Sequence, residues 1–314
     1  MNGLLRLIDT GVARLGCALC LMVVGCGDES EPASTGSPSA DVSSADGASG
    51  ESDSGGDPGN GVLRGACATG DLAGLFEVAY GKNFSYVSGE VNASPMPVAA
   101  PEELLATGPC TVRRQVQLAC TSACDGGQVC GTEGACVDPP GSLGVGTVSV
   151  QGLLADVTME PTEGTGYYMD SSVPHPPFES GASIRLDATG GDDAAFTLYG
   201  EGVQKVEVLD EVWTVTAGEP LRVAWVPGEE SEAKVEVVLA IDQLGKTPSE
   251  IHCLTEDTGE LEIASDLLSL LLESGVSGSP AGTVTRRTVD ASMIDRGCME
   301  LRVHSSALVS VTLP

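Results

Sequence analysis

Aromatic residues make up only 4% of this 314-residue chain, as 2 Trp, 5 Tyr and 4 Phe. A supply that small leaves few large rings for a core or a ligand pocket, so the interior must be built from Val, Leu, Ile and Ala. Histidine is as scarce: His175, His252 and His304 are the 3 in the chain. They form no H-x-x-x-H pair, and no G-x-S-x-G turn accompanies them, so neither a zinc-hydrolase helix nor a nucleophile elbow can be read. Basic side chains number 15 against 45 acidic, a formal net charge of −30. A surface of that sign repels phosphate backbones and anionic headgroups, which argues against nucleic acid as a partner. No apolar run approaches the roughly 20 residues that a helix needs to cross a bilayer. The N-terminal run, Leu15 to Val24, has ten.

Arg6 and Arg14 lead into that run, and it closes on Val23-Val24-Gly25-Cys26. A charged start, a short apolar stretch and small residues before a cleavage point are the order of a secretory signal. The last four residues resemble the lipobox of bacterial lipoproteins. The resemblance implies removal of residues 1–25 and a diacylglycerol thioether on Cys26. Acyl chains contribute about 0.8 kcal/mol per buried methylene, enough to hold an acidic protein at a membrane its side chains would avoid. Residues 27–60 contain eight acidic residues, no basic one, no aromatic and a single large aliphatic, Val42. Such a segment cannot bury enough surface to offset its ordering entropy, so residues 26–60 read as a lipidated Cys followed by a disordered acidic tether.

With Cys17 and Cys20 in the signal and Cys26 lipidated, eight cysteines remain: Cys67, Cys110, Cys120, Cys124, Cys130, Cys136, Cys253 and Cys298. An even number in an exported chain reads as four disulfides, although eight cysteines allow 105 pairings. Residues 119–141 hold four of them in a Gly-rich knuckle too short for a core of its own. The knuckle resembles half an EGF-like unit, which implies crossed pairing, first with third and second with fourth. Its spacing lacks C-x-x-C, which disfavours zinc. For the rest, the expected pairs are Cys67 with Cys110 and Cys253 with Cys298.

Residues 61–118 are expected to form a small β-rich domain. Gly74–Tyr80 and Phe84–Val91 make a hairpin, and a short helix starts at Pro101-Glu102-Glu103 and stops near Gly108. From 142 to 314 the pattern has period two: Val148 and Val150, Ile184 and Leu186, Phe196 and Leu198, Val206 and Val208, Val235 to Ile241, Met299 to Val303, and Val309 to Leu313. Many short strands separated by Gly, Pro and Asp turns predict a mainly β fold, an antiparallel β-sandwich with one short helix. That helix is Asp266–Glu273, capped by Ala264 or Ser265 and closed by Gly275.

Few residues point to chemistry. Asp257-Thr258-Gly259 has the letters of an aspartic-protease motif but no second copy to share a proton, and reads as a β-turn. Asp187, Asp192 and Asp193 surround a Gly-Gly tip and are weak calcium candidates. Tyr167, Tyr168, His175 and Phe178 lie on the most aromatic, Pro-stiffened stretch, a candidate loop for a glycan or protein partner. Trp213 and Trp225 sit in strand-like runs and read as core. No cofactor is implied. Taken whole, lipobox, acidic tether, cysteine knuckle and β-sandwich resemble the envelope lipoproteins that large-genome gliding soil bacteria carry in many copies. The resemblance implies a non-enzymatic, lipid-anchored binding or structural module, facing periplasm or cell surface from the inner or outer membrane. The rivals are a glycan-binding module using the Tyr167–Phe178 loop and a hydrolase with no recognisable motif.

Overall fold

Alternating burial runs through the computed structural model, which describes residues 62–230, 232–241, 248–273 and 280–313. The signal, Cys26, the tether and Gly275 lie outside the described residues. Val235, Val237, Leu239 and Ile241 are buried while the residues between them are not, as a pleated strand with one covered face requires. In chain order the strands are β1 (Leu72–Tyr80), β2 (Ser85–Val91), β3 (Glu102–Thr107), β4 (Cys110–Arg114), β5 (Val129–Cys130), β6 (Cys136–Val137), β7 (Val148–Gln151), β8 (Val157–Met159) and β9 (Tyr167–Asp170). They continue with β10 (Ser183–Ala188), β11 (Phe196–Glu201), β12 (Val212–Thr214), β13 (Leu221–Ala224), β14 (Lys234–Ile241), β15 (Ser249–Glu256), β16 (Glu260–Ile263), β17 (Ala281–Ile294) and β18 (Gly297–Thr312). The helix α1 spans Ser265–Glu273.

The fold is a β-sandwich. One layer is a ten-stranded sheet in the order β3-β4-β15-β14-β17-β18-β1-β2-β9, with β12 beside the end of β18. Its pairs are antiparallel except β1–β18 and β12–β18. The other layer is divided: β11-β10-β7-β8 forms a four-stranded sheet, and β13-β16 a ribbon. Two cores result. Phe76, Val150, Leu186, Leu198 and Leu301 belong to the first, under the four-stranded sheet. Trp213, Trp225, Val237, Leu239 and Ile251 belong to the second, with Leu267, Leu268 and Leu271 of α1. A fully buried side chain of this size stabilises by about 1.5–3 kcal/mol. Gly282 is where Trp213 lies flat on β17, because a Cβ there would overlap the indole ring.

Four sequence expectations are corrected. Residues 102–107 are a strand, not a helix. A helix that short is unstable alone, whereas edge pairing with β4 sets Glu102 opposite Arg114, and Leu104 and Leu105 pack on the second core. Residues 61–118 do not close into their own sheet: β1 pairs with β18 and β4 with β15. The same pairings redirect the cysteines. Leu72 lies opposite Cys298 and Cys110 opposite Cys253, so the disulfides are Cys67–Cys298 and Cys110–Cys253, spanning 231 and 143 residues. Val206 and Val208 form no strand, only an isolated bridge from Val208 to Trp225. The hairpin, the helix and both buried tryptophans stand where the sequence places them. The knuckle pairs Cys120–Cys130 and Cys124–Cys136 are crossed as the EGF-like resemblance implies.

Candidate functional site

The aromatic stretch does not form an open platform. Tyr168 and Phe178 are buried in the first core, and the Tyr168 hydroxyl accepts from Val145 N at 2.7 Å and donates to Gly146 O at 3.0 Å. His175 shares a hydrogen bond with Ser85 Oγ at 2.9 Å and meets the Tyr80 ring edge-on. Tyr167, on the edge strand β9, and His175 are exposed. An aromatic-poor sequence spends its rings on the interior. The three calcium candidates also separate. Asp187 accepts from Arg185 and Thr197, Asp193 pairs with Arg296, and Asp192 faces solvent. In the knuckle, the sulfurs of Cys120, Cys124 and Cys136 lie close together, but both S–S bonds consume the thiolates that a metal would need.

Between the two cores runs a polar seam along the inner face of β17, where Arg286, Thr288 and Asp290 are buried. Asp257, on the turn after β15, accepts from Arg286 Nε at 2.5 Å, Trp225 Nε1 at 2.7 Å and Gly228 N at 3.0 Å. Burial alone would raise its pKa. The bonds from Arg286 and Trp225 outweigh that and hold the carboxyl below its usual range. Arg286 also donates to the carbonyls of Gln204, Lys205 and Val226. Asp290 takes the Arg64 guanidinium and the N–H of Tyr199. These carboxylates face partners, not an open cavity.

A second row crosses the outer face of the large sheet. His252 Nε2 and Glu236 Oε1 are 2.5 Å apart, and Arg287 reaches the same oxygen at 3.2 Å. Opposite Arg287 in the β17–β18 register is His304, with Glu77 of β1 at 3.8 Å. Burial, then the positive Arg302 and Arg287, depress the His304 pKa to about 4. Two histidines about fifty residues apart in sequence thus reach one transverse row through strand order, which no spacing in the chain announces.

The third feature is a groove of about 800 Å³ where the large sheet is incomplete. On one side β18 is paired along its length by β17. On the other, β1 ends with Tyr80 opposite Ser305, and β12 begins with Val212 opposite Ser310. Residues 306–309 face no strand there. Ser310 N donates to Glu211 O on this side, so by the alternation of a strand the backbone N–H and C=O of Leu308 also point into the gap. The Leu308 side chain is 85% exposed. Across the groove stands the tip of the β1–β2 hairpin, with Phe84, 60% exposed, stacked on Tyr86. Lys82 and Lys205 line the hairpin end, Lys205 donating to Lys82 O at 3.1 Å. Among the described residues every arginine and Lys234 makes an ion pair with a carboxylate; Lys82 and Lys205 do not.

No family model matches this chain, and no curated protein matches it. Among solved structures it is similar to the FN1-FN3 domains of chicken CNTN1, at 9% identity over 72% of this chain and 78% of that one, with a TM-score of 0.20.

Of the three features, the seam spends its charges on itself, while the transverse row leaves Arg287 Nε and His304 Nε2 without a hydrogen-bond partner among the described residues and reaches the groove at His304. Among the same residues, the groove alone offers exposed apolar side chains, unpaired ammonium groups and free backbone at one place. Sequence reasoning missed it because its walls come from the segments 80–86, 205–211 and 304–310, none of which carries a motif. The one available signal was the rarity of lysine in so acidic a chain.

Proposed function

We propose that this chain is a lipid-anchored, non-catalytic binding module of the bacterial cell envelope, held at the membrane through acylated Cys26 and exposed outside the cytoplasm. The observation that carries the reading is the set of four disulfides, two of them joining residues 231 and 143 positions apart. Bonds of that kind persist in oxidising compartments. The Val23-Val24-Gly25-Cys26 sequence supplies the anchor, and the acidic tether lifts the domain from the surface. The pairing of the buried carboxylates and of the His252–Glu236–Arg287 row supports a role in binding over turnover. Labelling of cells with radioactive palmitate, followed by membrane fractionation, tests it. Wild-type chain should carry label and sediment with membranes, and Cys26→Ala should lose both. A Cys26→Ala chain that still incorporates palmitate and stays membrane-bound overturns the proposal.

A further inference from the structure

We infer that the groove beside β18 is a docking site for an extended acidic peptide of a partner protein, which enters as the strand missing between β1 and β12. The inference rests on the reading of the chain as a binding module and names the chemistry of its partner.

Three observations converge on that occupant. The first is the vacant lane. Four residues of β18, from Ser306 to Val309, have a neighbouring strand on one side only. At about 3.3 Å per residue the lane is some 13 Å long. An incoming strand would pair with the backbone of Leu308, which is recognition by strand addition. The second is the apolar lining. Leu308 on one wall and the Phe84–Tyr86 stack on the other provide contact for alternate side chains of an extended segment.

The third is charge. The chain has 45 acidic side chains to 15 basic, so a cation has many carboxylates available to it. Yet Lys82 and Lys205, which make no ion pair among the described residues, line this one groove. Tyr80 lies beneath the Lys205 ammonium, 5.9 Å from ring centre to Nζ. An acidic side chain of the peptide would meet both ammonium groups. Glu207 and Glu211 also line the groove, Glu211 at the Ser310 end, so a uniformly acidic ligand fits it poorly and a peptide whose carboxylate lies at the lysine end is favoured. A polyanionic sugar would satisfy the lysines and stack on the rings, but its hydroxyls do not repeat with the spacing of a strand's backbone, which the lane between β1 and β12 matches.

Fluorescence anisotropy on the purified full-length chain tests the inference. The probe is a labelled, end-blocked hexapeptide alternating valine with threonine and carrying glutamate at one end only, used in both sequence directions. Comparison ligands are its lysine-for-glutamate counterpart, a version N-methylated at alternate peptide bonds, and polygalacturonate. The acidic peptide should bind, with affinity weakened about tenfold or more by Lys82→Glu with Lys205→Glu and by Leu308→Asp, whose site is too exposed for the change to disturb the core. N-methylation, which removes donors and leaves charge intact, should abolish binding. Any one of four results overturns the inference: no binding of the acidic peptide, equal binding of the lysine peptide, unchanged binding of the N-methylated peptide, or binding of polygalacturonate alone. Failure of the palmitate experiment leaves this result standing, and failure here leaves the anchor standing, so the two readings are separable.

Discussion

Replacing Arg286 with Met tests how the two cores are joined. The guanidinium is almost fully buried and donates to Asp257 Oδ2 at 2.5 Å, Val226 O at 2.6 Å, Gln204 O at 3.1 Å and Lys205 O at 3.3 Å. Met keeps much of the aliphatic length and brings no charge. The variant therefore strands a buried carboxylate with two remaining donors, Trp225 Nε1–H and Gly228 N–H, and leaves three carbonyls without this partner. Breaking a buried ion pair from one side costs about 3–5 kcal/mol, and orphaned carbonyls add to that, though less than additively. We expect a loss of about 4–5 kcal/mol in urea titration at pH 7 with disulfides intact, seen as a lower midpoint at unchanged slope. Removing both charges, with Arg286→Met and Asp257→Leu together, should cost less than the sum of the single changes by about 2–3 kcal/mol.

The pH dependence supplies an independent check. The Asp257 carboxyl is held low in the folded protein, so its contribution is fully present above its unfolded pKa and is lost as pH falls through the folded value. In Arg286→Met the same burial has no guanidinium against it and raises the carboxyl. The deficit of the variant should therefore shrink between pH 7 and pH 4. Arg286 also fixes the carbonyl of Lys205 on the groove, so the variant should weaken binding of the acidic peptide without touching its contacts. A loss under about 1 kcal/mol, or strictly additive single changes, would refute the role assigned to the pair.

The disulfides and the buried histidine give two further outcomes. By the chain-entropy relation, removing Cys67–Cys298 as a Ser pair should cost about 5 kcal/mol and removing Cys120–Cys130 about 3 kcal/mol, because the loops differ in length from 231 to 10 residues. Urea midpoints of the two double variants test the order, and its reversal would show that loop closure does not govern these bonds. His304 titrates near 4 when folded against about 6.5 unfolded. Since the folded state disfavours the charged form, stability is full above pH 6.5 and falls by up to about 3 kcal/mol as pH drops to 4. His304→Gln should flatten that part of the stability–pH curve, and an unchanged slope in acid titration would remove His304 as its source.

What the sequence made legible follows from where its apolar residues fall. β14 and the first half of β18 alternate Val, Leu, Ile or Met with other residues, and the pattern predicts both. β17, as long as nearly any strand in the molecule, carries no such signal, because its covered face holds Gly282, Val284, Arg286, Thr288 and Asp290. Hydrophobic periodicity is silent where a strand turns a polar edge inward, and β17 does so where two cores meet and Asp257 and Arg64 arrive from distant loops to match it. The cysteine pairs differ from the expected ones for a related reason: neighbours in sequence are not neighbours in space, and the parallel β1–β18 pairing brings the start of β1, just after Cys67, beside Cys298.

The groove extends the same logic from fold to function. The count of 15 basic to 45 acidic residues requires only that most cations find partners, and nothing in the order of residues says which will not. That is decided when β18 runs four residues beyond the end of β1 before β12 joins it. The hairpin carrying Lys82 turns away at Gly81, and the segment carrying Lys205 passes beneath, held by Arg286 at its carbonyl and by Ser305 Oγ at the N–H of Val206. Both lysines come to the gap through backbone held for other reasons, and although Glu207 and Glu211 also line it, neither pairs with them. A sheet that stops one short strand from completion leaves unsatisfied backbone beside unpaired charge. The acidic peptide inferred here answers both at once, whereas solvent hydrates them separately and leaves Leu308 and Phe84 exposed.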